Sequence, residues 1–364
     1  MEPTKAHFLT ATEYEQWDRF VAESPQGDVF CYSWWLQAVT KDDFRILVVR
    51  ENNRIVAGII LPFYGTGRIN EPYLTRTTGV LYGKTDDESP RERLSKERRW
   101  LNALLDQVDI NQVVQMCMHH NFKDWLPFRW RGYKQTTRYT YLLDYRQPLP
   151  DMRANISQGI KIALRNKLTV EEGDDISSVY VFSCLSFSRQ NRKFPYSLDD
   201  LRRLDNAVKQ YGKRAIFQAV DAERRIHAVN YVVYHEKSAY HLLIGGDPQT
   251  RSSGGQTLIL WHTLGYFRDK VPVFNFGGSD LQPIEWHIRG FGGTQTQYFH
   301  IFNEALFLNR EGLRYHLAQM LYHGREAFRD IGRRPLKDYP ALSNKLLKSL
   351  SGKIRRGLSS KHHA

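Results

Sequence analysis

Cysteine is scarce in this chain of 364 residues, which has only Cys31, Cys117 and Cys184. Three thiols far apart, with no metal-ligand spacing, exclude a disulfide framework and fit small buried side chains in a reducing cytosol. Long apolar runs are missing as well. No window approaches the roughly 18 uninterrupted apolar residues of a membrane-crossing helix. The opening MEPTKAHFLTATEYEQW has an early acid and no apolar h-region, so it is not expected to be a secretory signal. A Walker loop and a dinucleotide fingerprint are absent, and no Ser/His/Asp triad or reactive cysteine stands out. His119 and His120 are adjacent, point differently and would chelate poorly, so no metal is expected.

What is present is enough apolar material for a large core: 41% of residues are hydrophobic and 13% aromatic. The length suggests two domains more readily than one. The net charge of +13 is uneven: Arg325 to Ala364 holds eleven Lys or Arg against three acids, a balance of +8. After Tyr339 come Lys345, Lys348, Lys353, Arg355, Arg356 and Lys361 with no acid, while Leu342, Leu346, Leu347, Leu350 and Ile354 recur at helical spacing. Such a basic amphipathic tail either lies on an anionic surface, membrane or nucleic acid, or docks on the body by its leucines.

The chain also repeats itself. RILVVRENNRIVAGIILPFY (Arg45 to Tyr64) and RAIFQAVDAERRIHAVNYVVYH (Arg214 to His235) each read as a β-hairpin, with Arg54-Ile55-Val56-Ala57 matching Arg225-Ile226-His227-Ala228 at an offset of 171. A helical pattern precedes each hairpin (from Tyr32 and from Tyr196), and another follows (from Arg98 and from Gln256). Each copy then gives a short strand, VVQMCM or VFNF, and a last one, RYTYLLDY or TQYFHIFN. The order predicts an α/β (α+β) chain of two similar domains, 1–145 and 150–305, joined by the proline-bearing RQPLPD and followed by a basic helical tail over 306–364.

That order resembles the GNAT acyltransferase fold taken twice. GDVFCYSWWLQAV looks like the opening helix of the tandem-GNAT, Fem-type family. WRGYKQTTRYTYLLDY resembles the strand closing its first domain, and SRQNRKFPYS the segment opening the second domain's cleft. HLLIGGDPQTRSSGGQTLILW and FNFGGSDLQPIEWHIRGFGG look like its phosphate-loop region and terminal signature. The resemblance spans roughly residues 28 to 303, but the long helical-hairpin arm of the peptidoglycan aminoacyl transferases has no counterpart, and the glycines of the phosphate loop are shifted. It implies two tandem GNAT-like domains with mixed central sheets. The activity implied is N-acyl transfer from acyl-CoA to an amino group on a sugar or lipid-linked cell-envelope or polysaccharide precursor, in the bacterial cytoplasm or at the inner face of the membrane. The alternatives are an aminoacyl-tRNA-dependent transferase acting on a peptidoglycan precursor, or a binding protein that keeps the fold without turnover.

The candidate residues follow from this frame. Arg251, Ser252, Ser253, Gly254, Gly255 and Gln256 lead into a helix, where free N–H groups, a cation and hydroxyls suit a pyrophosphate; otherwise they form an ordinary capped loop. Glu285, inside the glycine-rich stretch, is a proton acceptor or the structural partner of Arg289; Asp280 is a further candidate. Tyr240 and His241, on the strand before the phosphate loop, face the cleft or pack across strands. Arg189, Gln190, Arg192, Lys193 and Tyr196 suit a phosphorylated or sugar-nucleotide acceptor, or are a solvated basic loop. Gly278, Ser279 and Arg289 bound the same site. The basic helix from Met152 to Lys167 contacts donor RNA or lipid, or simply covers the sheet.

Overall fold

In the computed structural model, residues 4–64, 67–85, 88–190, 192–278 and 281–307 are described. Asp280, Ser279 and the expected tail beyond Phe307 lie outside them. The first half runs β1 (Ala6–Phe8), α1 (Tyr14–Glu23), α2 (Ser33–Thr40), β2 (Phe44–Glu51), β3 (Arg54–Pro62), β4 (Val80–Tyr82), α3 (Pro90–Leu105), β5 (Gln115–Cys117), α4 (Leu126–Trp130) and β6 (Lys134–Asp144). The second runs α5 (Ala154–Arg165), β7 (Thr169–Gly173), α6 (Ile176–Ser188), α7 (Leu198–Tyr211), β8 (Lys213–Val220), β9 (Ile226–Tyr234), β10 (Ser238–Gly246), α8 (Gly255–Phe267), β11 (Val273–Asn275), α9 (Gln282–Arg289), β12 (Thr294–Phe302) and α10 (Glu304–Phe307).

Local chemistry explains the boundaries. The predicted hairpins are β2–β3 and β8–β9. The first turns on Asn52 and Asn53, at φ 48° and 62°, the left-handed conformation that asparagine tolerates. Helix α3 starts at Pro90 behind a capping box of Ser89 and Glu92, and α7 behind one of Ser197 and Asp200. Helix α8 is apolar almost all round because it is sandwiched, against β8, β9 and β10 on one side and α5 on the other.

Two sheets result, one ordered β1-β2-β3-β4 and one ordered β5-β12-β6-β11-β10-β9-β8-β7. The halves share strands: β6 pairs antiparallel with β11, and β12 pairs antiparallel with both β6 and β5. The last strand of each half therefore sits against a strand of the other. All of this belongs to one compact unit, Met1–Phe307. No helix among the described residues is long and apolar enough to cross a membrane.

The glycine-rich stretch after β11 is shaped by this exchange. Gly278, at φ +58°, lies so close to β6 that a Cβ there would sit 2.0 Å from the Tyr139 carbonyl oxygen. Backbone strain and a backbone clash would then act together. Gly278→Ala is expected to lose about 2 kcal/mol or more of unfolding free energy. An unchanged urea midpoint would show that this turn is not seated on β6.

Candidate functional site

β10 and β11 are parallel neighbours for only three residues, Ser238–Tyr240 against Val273–Asn275. Beyond them β10 runs on to Gly246, with a bulge between His241 and Leu243 against β9. The other chain turns away, its Phe276 N–H donating to the Tyr141 carbonyl of β6 at 3.0 Å. Parting strands leave backbone groups without ladder partners. Arg76, from the loop between β3 and β4, meets one of them, its Nη2 donating to the Leu242 carbonyl at 3.3 Å. In the fork is a cavity of about 20 Å³ lined by Arg76, Thr77, His120, Thr140, Tyr240, Asn275, Gly277 and Tyr298. It has room for about one water-sized group.

The walls are firmly held. Asn275 Oδ1 accepts from Thr140 Oγ1 at 2.6 Å and from the Gly277 N–H at 2.8 Å, which leaves the amide Nδ2 as the donor available to a guest. Asp28, buried beside the cavity, accepts from Thr77 Oγ1 at 2.5 Å, the Tyr240 hydroxyl at 3.1 Å and the Phe30 N–H at 2.8 Å. Burial pushes its carboxyl up to about 6 against these donors. Burial, then the Asp28 charge, pushes the Tyr240 phenol well above its usual range, so Tyr240 acts as a donor and not a phenolate. His241 is buried with Nε2 unpartnered. Burial, then Arg76 and His287, lower its pKa to about 3, which keeps it neutral.

A second cleft lies at the N-terminus of α8, where the structure brings Arg189, Asp247, Arg251, Ser253, Gly255 and Gln256 together. Arg251 and Ser252 are exposed there. Charge and helix polarity suit an anion, but the space is small, about 10 Å³. The reason is α5. Gly254, at φ +83°, is approached so closely that a Cβ would stand 2.4 Å from the Gly159 carbonyl oxygen. That glycine admits a helix of the protein, and a pyrophosphate does not fit inside the cleft; only the rim at Arg189 and Arg251 is open to one.

No family model and no curated protein sequence matches the chain. Solved structures do. FemX superposes with a TM-score of 0.58 at 11% identity, covering 84% of this chain and 100% of that one. The chain shares its fold with FemX. A tandem GNAT protein from the clavulanic acid biosynthesis pathway reaches 0.47 at 13% identity over 82% and 98%. L-PGS from Bacillus licheniformis reaches 0.45 at 13% over 85% and 95%.

Within this fold the other predicted residues are distributed as follows. Glu285, on α9, accepts from Arg289 Nε at 2.8 Å and from the Tyr141 hydroxyl, and does not line the cavity. Gly278 packs on β6. Of the basic loop, Arg189 goes to the α8 cleft, Arg192 lies over the Phe187 ring at 5.8 Å, and Lys193 is exposed. Gln190 donates its N–H to the Phe187 carbonyl. Tyr196 turns the other way, into a cleft of about 290 Å³ with Lys41, Tyr64, Tyr73, Asp200 and Arg203. There the Tyr73 ring lies 4.7 Å from Tyr64 and 4.9 Å from Tyr196. The residues that sequence reasoning missed are Asp28, Tyr73, Thr77, His120 and Asn275. Asp28 and Asn275 lie inside strings singled out above, but neither string shows which side chain faces inward.

Asp28 makes a pH prediction. Unfolded, its carboxyl titrates near 3.8; folded, near 6. The folded chain therefore retains a proton that the unfolded chain has released, and stability from this group falls as pH rises through that window. Full ionisation costs on the order of 3 kcal/mol. His119, His241 and His300, which burial holds below the usual histidine value, act in the opposite sense. The comparison with Asp28→Asn separates the two effects. The variant should gain stability relative to wild type from pH 4 to 7, and parallel pH–stability curves would show an ordinary Asp28.

Proposed function

We propose that the chain is a transferase that moves an acyl group from an activated ester or thioester to an amine at the fork between β10 and β11. The observation that carries this reading is the fork cavity itself. It is sized for one reacting atom and bordered by an amide donor clamped from two sides. Acyl transfer needs a held carbonyl, a donor for the developing oxyanion and an acceptor for the amine's proton. Asn275 supplies the oxyanion donor, and Tyr240, tied to Asp28, fixes the wall beside it. His241 adjoins Tyr240 on β10, while Glu285 braces Tyr141 of β6 from α9.

The acceptor, an amino group on a sugar or lipid-linked envelope precursor, enters along the cleft of Tyr64, Tyr73 and Tyr196. The edge-on and tilted rings there offer apolar surface to a sugar, and Lys41 and Arg203, which share Asp200, leave two cations against one acid beside it. The basic segment 340–364 favours an anionic membrane surface. For acyl-CoA as the donor, Arg189 and Arg251 offer charge and Ser252, Ser253 and Gln256 offer hydrogen bonds, yet the cleft has little interior space for its pyrophosphate. The closed α8 cleft favours a second reading, an aminoacyl ester carried on tRNA and held by basic surface.

Acetyl-CoA or longer acyl-CoA, incubated with amino sugars and read by mass spectrometry, is expected to give an N-acyl product. Product formed only with charged tRNA selects the second donor. Stabilisation by acyl-CoA without any product identifies a binding protein. In the productive pair, Asn275→Ala should lower kcat about 100-fold or more and leave KM largely intact. An unchanged kcat would move the oxyanion site elsewhere.

A further inference from the structure

His120 follows β5 and reaches the fork cavity from the first half of the chain, opposite Tyr240 of β10 and Asn275 of β11. Its own setting is unusual for a half-buried histidine. The ring stacks on His119 with centroids 3.9 Å apart. The hydrogen bond made at this residue is to its backbone carbonyl, from Lys123 Nζ at 2.7 Å. Neither imidazole nitrogen has a hydrogen-bond partner among the described residues, whereas His119 is anchored through Nδ1 to the Asn121 N–H at 3.1 Å. The pair thus consists of a fixed ring and a free ring packed on it, with the free one lining the cavity.

We propose that His120 is the catalytic residue that takes the proton from the attacking amine, with His119 positioning its ring. This deepens the acyl-transfer reading above and rests on it. The amine nitrogen attacks the donor carbonyl carbon, the N–C bond forms and the carbonyl π pair moves to oxygen, where Asn275 faces it. An imidazole nitrogen of His120 takes the N–H proton. The oxyanion then collapses, the bond from carbon to the leaving thiol or hydroxyl breaks, and the imidazolium returns its proton to that group. Atoms and charge balance without a covalent enzyme intermediate.

The groups that face or adjoin the ring are Arg76 from the β3–β4 loop, Tyr240 of β10, Tyr298 of β12, and the neighbours His119 and Lys123. Burial first and Lys123 second hold the His120 imidazole down to about 4. It is therefore unprotonated at neutral pH and able to accept, as a weak base that gives the proton up again quickly. His241 has the same neutrality but does not line the cavity.

The test uses the full chain with the donor and amine that give product. His120→Gln is expected to lower kcat on the order of 100-fold or more, with KM little changed. The wild-type profile should steepen below about pH 4, a break that His120→Gln lacks while keeping the limb set by protonation of the amine itself, and added imidazole should partly rescue His120→Ala. A His120→Gln enzyme with wild-type kcat and pH profile overturns the assignment while leaving the transferase standing. A wild type that transfers no acyl group overturns the transferase, and the assignment with it. One readout is independent of turnover: in an NMR titration of the folded protein the His120 imidazole should stay neutral down to about pH 5. A His120 ring that titrates with an ordinary midpoint near 6.5 also overturns it.

Discussion

The pairing of β6 with β12 holds the rest of the structure in place. Nine residue pairs in register, from Leu142 with Thr294 to Lys134 with Phe302, join the last strand of one half to the last strand of the other. β6 then carries β11 on its far edge, and β12 carries β5. A one-residue slip would turn every side chain of these strands to the opposite face, moving Thr140 away from Asn275 and Tyr298 out of the cavity wall. The fork is therefore a composite. Thr77, His120 and Thr140 come from the first half, Tyr240, Asn275 and Tyr298 from the second. Neither half contains the site alone.

The same exchange explains where polar groups are buried at a cost. Asp28, from the segment before α2, reaches Thr77 and Tyr240 at once and so ties three distant stretches of chain together. Burying a carboxylate is unfavourable unless donors surround it. Here they do, yet burial still wins and raises the carboxyl. The fold accepts that penalty in exchange for two hydroxyls held rigid on the cavity wall. Asn275 shows the less costly solution: a neutral amide with its oxygen satisfied twice and its nitrogen left over.

Much of the architecture was legible in the sequence, because it is written in local patterns. The hairpins and the helices from Tyr32, Tyr196 and Gln256 all rest on periodicity and turn residues that need no partner to be read. The exchange of β6 and β12 was not legible, since RYTYLLDY and TQYFHIFN carry no mark of which neighbour each takes. The site followed the same division. Arg189 and Arg251 were each suspected and do converge on one cleft. His120 was set aside because adjacent histidines chelate poorly, a sound objection to metal binding that says nothing about proton transfer.

The glycines show most clearly how a sequence signal can be right about geometry and silent about cause. Gly254 was read as part of a pyrophosphate loop and Gly278 as bounding the same site. Close approach is what they provide, but to α5 in one case and to β6 in the other. Each contact then bears on chemistry indirectly. Gly278 lets the chain leave β11 tightly enough for Gly277 to donate to Asn275, which fixes the amide at the fork. Gly254 lets α5 pack directly behind the loop that leads into α8, beside a cleft of only about 10 Å³. A donor whose recognition lies mostly outside that cleft, spread over exposed basic residues, is the kind that this arrangement leaves room for.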